Sequence, residues 1–330
     1  MGIECGSQVT LCEYPIRLDT YKGCSHGCRY CFARAKTDID VIEPLHCAGK
    51  VKRFIDGART NVTAWCDWDI PLHWGGMSDP FQPAELEHHA TLEVLEVLSD
   101  AGYPFIVSTK GRLIAREPYL SLLGKSNVCV QVSMTSPQLD KLEPGAPTFA
   151  ERLEIVRAVA ARAPRVMVRV QPYMTQCLAT LIEALPDIAH AGAYGVTVEA
   201  MKFKATHPGL VRVGGDYTYP ETALKADYAT IREACRKVGL AFFCAENRLR
   251  GMGDSTACCG CGDMPGFRGN KLNLVSAAVN GGATPTEAQT RPGTGACMHC
   301  FYQKAGSFYQ ATKRMSFAEA MAERARVTKL

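Results

Sequence analysis

The chain has no long apolar run. Its longest, such as 105–108 and 128–134, are strand-sized, whereas a helix that crosses a bilayer needs about 20 consecutive apolar residues. No membrane partner is expected. The opening residues Met1-Gly2-Ile3-Glu4-Cys5 lack the basic start and apolar stretch of a secretory signal, so the expected location is cytoplasmic. Strong charge is missing too. Lys and Arg number 37 against 33 Asp and Glu, a net +4, which by itself predicts nothing about nucleic acid. There is no internal repeat and no low-complexity tract. Hydrophobic content of 47% and charged content of 21% are ordinary globular values, which excludes disorder and coiled coil. The 330 residues suffice for one large α/β domain or two, with a substantial core.

Cysteine, by contrast, is abundant, with 16 residues. In a reducing compartment a disulfide framework is not expected, so metal ligation or catalysis becomes the better reading. Cys24, Cys28 and Cys31 form one group, and Cys244, Cys258, Cys259, Cys261, Cys297 and Cys300 fall in the C-terminal third. Cys5, Cys12, Cys47, Cys66, Cys129, Cys177 and Cys235 are scattered and read as small buried apolar residues.

Short apolar runs alternate with helical patterns. Strands are expected at 16–21, 69–74, 104–108, 128–134, 165–171, 195–201 and 240–244. Helices are expected at 83–101, 113–123, 148–163, 178–190 and 222–238. Such regularity implies right-handed βαβ units and a parallel sheet, either a full or partial (β/α)6-type barrel or a doubly wound open sheet. In both, chemistry belongs at the strand ends. The barrel is expected over 1–240. After it comes a Cys-rich region, 241–330, whose stretch 247–295 is rich in Gly, Cys, Pro and Thr and shows little periodicity. A metal site would order such a stretch. Ser316, with Glu319 three residues on, announces a final helix over 316–325.

Gly23-Cys24-Ser25-His26-Gly27-Cys28-Arg29-Tyr30-Cys31-Phe32 places three thiols in one loop after a strand. Thiolates so spaced can converge on one iron–sulfur cluster and leave one of four irons open. Zinc, with His26 or another cysteine as fourth ligand, is the alternative. The Cys-x-x-x-Cys-x-x-Cys spacing, with an aromatic before the last cysteine, resembles the signature of the radical S-adenosylmethionine (SAM) superfamily. The resemblance implies a [4Fe–4S] cluster on Cys24, Cys28 and Cys31. It also implies SAM bound at the open iron, with Tyr30 beside the adenine, and reductive cleavage of SAM to a 5′-deoxyadenosyl radical.

Downstream segments agree. Gly75-Gly76-Met77-Ser78-Asp79-Pro80-Phe81-Gln82-Pro83-Ala84-Glu85 resembles the Gly-rich turn that receives the SAM amino group. Its second half is similar to the Thr-Asp-Pro-Tyr-Gln-Pro-x-Glu stretch of spore photoproduct lyase-like proteins. Ser108-Thr109-Lys110, Arg116, Ser133-Met134-Thr135, Glu143-Pro144-Gly145-Ala146-Pro147 and Arg152-Leu153 follow in the same order as in that branch. The resemblance, which spans about 14–202, implies that Lys110, Ser133 and Arg169 border SAM, with Asp79 and Glu199 as further strand-end candidates.

The C-terminal pairs Cys258-Cys259-Gly260-Cys261 and Cys297-Met298-His299-Cys300 suggest a second site. Four of Cys258, Cys259, Cys261, Cys297 and Cys300 would hold an auxiliary [4Fe–4S] cluster, or zinc. Branch resemblance implies a lyase or isomerase acting on a nucleic-acid base or nucleoside, such as a modified thymine in DNA. Arg248, Arg250, Arg268, Lys271 and Arg291 add only slight support. A peptide or small metabolite is the alternative substrate, and a zinc-knuckle nucleic-acid-binding protein the alternative of another class. A reductant such as flavodoxin or ferredoxin is the implied partner.

Overall fold

Strand order decides between the two architectures that periodicity leaves open. The computed structural model describes residues 2–6, 8–298 and 310–328. One eight-stranded sheet is built from β1 (Ile3–Cys5), β2 (Ile16–Leu18), β3 (Leu72–Trp74), β4 (Phe105–Thr109), β5 (Val128–Ser133), β6 (Arg165–Tyr173), β7 (Gly195–Ala200) and β8 (Ala241–Cys244), in that spatial order. β1 runs antiparallel to β2, and every later pair is parallel. A doubly wound sheet reverses its strand order at a switch point, and this order never reverses. With right-handed crossovers a monotonic order rolls the sheet into a barrel wall. β1 and β8 stand at opposite ends of the sheet, so the barrel is partial. The sheet continues through β8, past residue 240, where the sequence suggested the barrel would end.

The period of two along each strand sorts the side chains. Val128, Val130, Val132, Val166, Val168, Val170, Val196 and Val198 belong to the large core beneath the helices. Their neighbours Cys129, Gln131, Met167, Arg169, Thr197 and Glu199 are left on the opposite face, the barrel interior. Ile106, Cys129, Met167 and Phe243, at the N-terminal end of that interior, form a second core with Tyr14, Ala257, Cys259, Cys261, Met264 and Phe267. The irregular C-terminal stretch thus closes the barrel floor with its own apolar side chains, of which Met264 and Phe267 are each worth about 1.5–3 kcal/mol on burial. Backbone anchors hold it there. Gln131 Nε2 donates to Cys259 O at 3.3 Å, Arg165 Nη1 to Gly260 O at 2.9 Å, and Asn270 N to Glu13 O at 2.7 Å. Apolar packing thus helps to order this segment, in which the expected metal ligands Cys258, Cys259 and Cys261 also lie.

Two helix ends follow from single side chains. The pattern over 83–101 is broken at His89, in the left-handed region at φ 52°, into Glu85–His88 and Ala90–Asp100. The Glu85 carboxylate accepts from Thr91 N at 2.8 Å and Leu92 N at 2.9 Å, capping the second helix from within the first. Ser316 and Glu319 form the reciprocal capping box that starts helix Phe317–Val327, and Phe317 stacks on Trp65 with ring centroids 4.7 Å apart.

Candidate functional site

Beyond β2 the chain enters the three-cysteine loop, and the segment after β3 fastens that loop residue by residue. Ser78 Oγ donates to Tyr21 O at 2.8 Å. Gln82, fully buried, accepts from Ser25 N at 2.9 Å and donates to Gly23 O at 3.2 Å, bracketing Cys24. Asp79 Oδ2 lies 3.1 Å from His26 Nε2 and accepts from Lys110 N at 2.6 Å, while Oδ1 accepts from Thr109 Oγ1 at 2.6 Å. Burial alone would raise the Asp79 carboxyl, but the His26 charge and these hydrogen bonds hold it down to about 2. The carboxylate expected to border SAM is therefore bound to the cysteine loop and to the end of β4. Glu85 completes the fastening, accepting from Tyr21 Oη at 2.5 Å and Tyr119 Oη at 2.8 Å.

From the other side, Gly145 N donates to His26 O at 3.0 Å and Arg29 N to Leu142 O at 2.8 Å. Gly75 has φ +86°, and a Cβ there would run into the Ser108 carbonyl oxygen, so only glycine fits. Gly76 is under no such constraint, its nearest neighbour being the Arg17 stem. Asp19 Oδ1 accepts from Met77 N at 2.9 Å and Ser78 N at 3.2 Å, fixing this turn.

None of the three cysteines of the loop is in a disulfide. Burial pushes the Cys24 thiol up to about 12 and the Cys28 thiol up to about 11, although Lys110 opposes the second shift. Lys110 Nζ lies 5.8 Å from the Tyr30 ring centroid and 3.8 Å from Glu143 Oε1. Burial lowers this ammonium while Cys28 raises it. Tyr30 Oη donates to Glu143 Oε1, and Arg152 Nη2 to Glu143 Oε2. Arg152 Nη1 also donates to Ser133 O at 2.7 Å. Glu143 and Arg152, the charged pair of the Glu-Pro…Arg-Leu segment, thus form a buried ion pair that seats Tyr30 beside the cysteines.

Arg169 is placed apart from this group. Its Nη1 donates to Gln131 Oε1 at 2.9 Å and its Nε to Gln171 Oε1, inside the barrel. Gln171 Nε2 donates to Glu199 Oε2 at 2.6 Å. Arg169, Gln131 and Glu199 line an internal cavity together with Arg17, His73, Arg250, Cys12 and Cys258. Sequence reasoning passed over Cys12, Arg17 and His73. The signal was available for Arg17, a lone charge between the apolar Ile16 and Leu18 of a strand, and so on the opposite face from them.

The C-terminal cysteines divide. Cys258 and Cys259 both line the cavity, and Cys259 and Cys261 are buried in the barrel floor. Cys297 packs in the large core with Met298, Phe317 and Met321. Cys300 lies outside the described residues. Among the described residues no three His, Cys, Asp or Glu side chains converge as donors to a single metal ion. The basic residues noted in the tail are largely engaged. Arg248 pairs with Glu246 at 3.1 Å, Arg291 pairs with Asp67 at 2.9 Å, and Arg250 is buried.

No family model matches the chain. Uncharacterized proteins of Mycobacterium tuberculosis and Mycobacterium bovis are 30% identical to it over 213 residues, covering 58% of this chain and 60% of theirs. The chain thus spans about 60% of the length of these curated relatives. Among solved structures, spore photoproduct lyase complexed with dinucleoside spore photoproduct superposes with a TM-score of 0.57 at 16% identity, covering 70% of this chain and 77% of that one. SuiB of Streptococcus suis bound to S-adenosylmethionine superposes at 0.50 and 12% identity, covering 72% and 51%. In complex with its precursor peptide, SuiB gives 0.51 at 13% identity, covering 71% and 49%. The chain has the α/β fold of these proteins, the partial barrel expected from the sequence. No helix among the described residues is long and apolar enough to cross a membrane.

Proposed function

We propose that the chain is a radical SAM enzyme, with a [4Fe–4S] cluster on Cys24, Cys28 and Cys31 and SAM at the mouth of the barrel. The observation that carries this is the fastening of the three-thiol loop by Ser78, Asp79, Gln82 and Glu85. Residues that bracket a cysteine so closely serve a loop whose shape matters. The donor set fits a cluster better than zinc. Three thiolates suffice for a cluster with one open iron, whereas zinc needs a fourth donor, and both ring nitrogens of His26, the candidate for it, are taken by the Gly145 carbonyl and Asp79. When bound, the cluster would supply the electron that cleaves SAM to a 5′-deoxyadenosyl radical, the species that takes hydrogen from substrate. The chain's own residues orient the reactants. The Gly75–Gly76 turn exposes main chain to SAM, Tyr30 offers a ring held by Glu143, and Lys110 offers a cation for a carboxylate. Ser133, at the end of β5, remains in the proposed set, and a flavodoxin or ferredoxin would be the reductant.

For substrate we favour a nucleic-acid base or nucleoside processed by a lyase or isomerase. Its support is the likeness to spore photoproduct lyase holding a dinucleoside. The likeness to SuiB with its precursor peptide supports a peptide as the second reading. The proposal includes no auxiliary cluster or zinc, because the expected ligands are divided between the barrel floor and the large core.

The test uses protein reconstituted without oxygen. About four irons per chain and 5′-deoxyadenosine formed from SAM with dithionite are expected, both lost in Cys28→Ala. About eight irons would restore an auxiliary cluster. Zinc without iron, and no cleavage, would overturn the reading.

A further inference from the structure

Three guanidinium groups meet in the cavity under the mouth: Arg17 from β2, Arg169 from β6 and Arg250 from the segment after β8. One carboxylate, Glu199, and the thiols of Cys12, Cys258 and Cys259 face them. Burial raises the Cys12 thiol, and the Cys258 thiol with burial raises that of Cys259, so even with Glu199 and Cys258 ionised one positive charge is left over. The hydrogen bonds of Arg169 and Arg250 go to neutral groups, the amides of Gln131, Gln171 and Asn247 and the Ser108 hydroxyl. Glu199 is occupied by Gln171.

Several polar atoms lining this space have no partner. Arg250 is 2% exposed, and its Nε and Nη1 are buried without an acceptor. Thr197 Oγ1 and His73 Nδ1, on residues 2% and 4% exposed, are likewise unpartnered. A buried donor without an acceptor costs about 1–3 kcal/mol, more when it is charged. Three such donors, Arg250 Nε and Nη1 and Thr197 Oγ1, on two elements of one cavity describe a site whose acceptors arrive with a ligand. Guanidinium groups in that position recognise planar or tetrahedral oxyanions, by paired N–H donors.

We propose that the barrel interior is an anion-binding site, built by Arg17, Arg169 and Arg250, that takes the carboxylate or phosphate of an acidic substrate. This rests on reading the barrel as the substrate chamber of the enzyme proposed above. The anionic group anchors the substrate deep in the barrel and leaves its reactive part toward the cysteine loop. Cys258 shares the same charge. The Cys259 thiol and the nearby arginines pull the Cys258 thiol down, as a cationic pocket does to any acid within it. SAM, held at the mouth by Lys110 and the Gly75–Gly76 turn, does not compete for this site.

The experiment titrates the reconstituted full chain with inorganic phosphate, and separately with malonate, following thermal stability. A saturable rise with phosphate identifies a phosphorylated substrate, and one with malonate a carboxylate. Either supports the proposal when Arg250→Met and Arg17→Met each weaken the apparent affinity at least tenfold. Arg17 is only half-buried, so its variant keeps the test decisive should Arg250→Met fail to fold. No saturable effect, equal effects in wild type and Arg17→Met, or competition by SAM would overturn it. So would iron falling by about half in Arg17→Met, since the cavity would then be a cluster seat. Formation of 5′-deoxyadenosine is measured on the same samples. Its absence beside intact phosphate binding overturns the radical reading and leaves the anion site standing.

Discussion

Replacing Asp19 by asparagine is expected to stabilise the protein at neutral pH, and only there. Asp19 follows β2, and burial raises its carboxyl to about 6 from 3.8, against the hydrogen bonds from Met77 N and Ser78 N. A group whose folded pKa is raised favours the folded state fully below its unfolded pKa. That contribution is lost as pH rises through the folded value. For Asp19 the loss runs from about pH 4 to about pH 6, and the gap in pKa corresponds to about 3 kcal/mol at 1.36 kcal/mol per unit. An asparagine oxygen still accepts from both amides and never ionises, so the variant avoids this loss. With about 2.1 cal/mol/K of unfolding entropy per residue, 3 kcal/mol corresponds to a rise of about 4 °C in Tm at pH 7. Near pH 4 the two proteins should coincide. Asp79, held down to about 2, stabilises above its unfolded pKa and loses that effect as pH falls toward 2. It is present in both proteins and cancels from the difference. Differential scanning fluorimetry across pH 4–7.5 provides the comparison. A Tm difference that does not change with pH would show that Asp19 pays no desolvation cost in the fold, and the reasoning would fail.

Other outcomes follow from the same contacts. Arg152→Met leaves the buried Glu143 carboxylate with only Tyr30 Oη and the more distant Lys110 Nζ and should cost about 1–3 kcal/mol, read by denaturant titration; no measurable cost would deny the pair its role. Gln82→Leu strips Ser25 N and Gly23 O of their partners, about 1–3 kcal/mol each, and should speed iron loss to a chelator, whereas an unchanged rate would mean that the loop holds itself. Gly75→Ala combines a positive φ with a clash and should cost more than about 1 kcal/mol while abolishing SAM binding, measured by equilibrium dialysis; wild-type binding would remove this turn from the site. Because the Cys24 and Cys28 thiols lie near 12 and 11, both are protonated at neutral pH and must release protons to bind metal. Iron retention against chelator should therefore strengthen as pH rises from 7 to 9, and a flat profile would contradict buried thiols.

The strands were legible because both their faces are buried, so they stand out as short apolar runs such as 128–134 and 195–201. Helix Phe317–Val327 was legible from its cap. The break at His89 was not, since it depends on Glu85 turning back on Thr91 and Leu92, a local conformation that apolar periodicity does not encode. Edge strand β1 and helix Ala48–Ile55 also escaped, the one for brevity and the other because five of its eight residues are charged or small. The cysteine loop could be read from spacing, and so could the segment that fastens it, though not which atoms each residue holds. The arginine cavity could not. It joins residues as distant as Arg17 and Arg250, and strand alternation tells which face a side chain takes only once the register is known.

The barrel floor also sets an order of events during synthesis. Tyr14 donates to the Phe267 carbonyl across 253 positions, and Leu274 and Asn270 reach back to Thr10 and Glu13. At about 5–20 residues per second, the first strands wait roughly 13–50 s for the segment that covers Ile106, Cys129, Met167 and Phe243. Until then the apolar floor of the barrel, as its residues are made, faces water. Contacts this distant in sequence slow folding and expose the nascent barrel to aggregation. Slowing translation before residue 257 would lengthen that exposure.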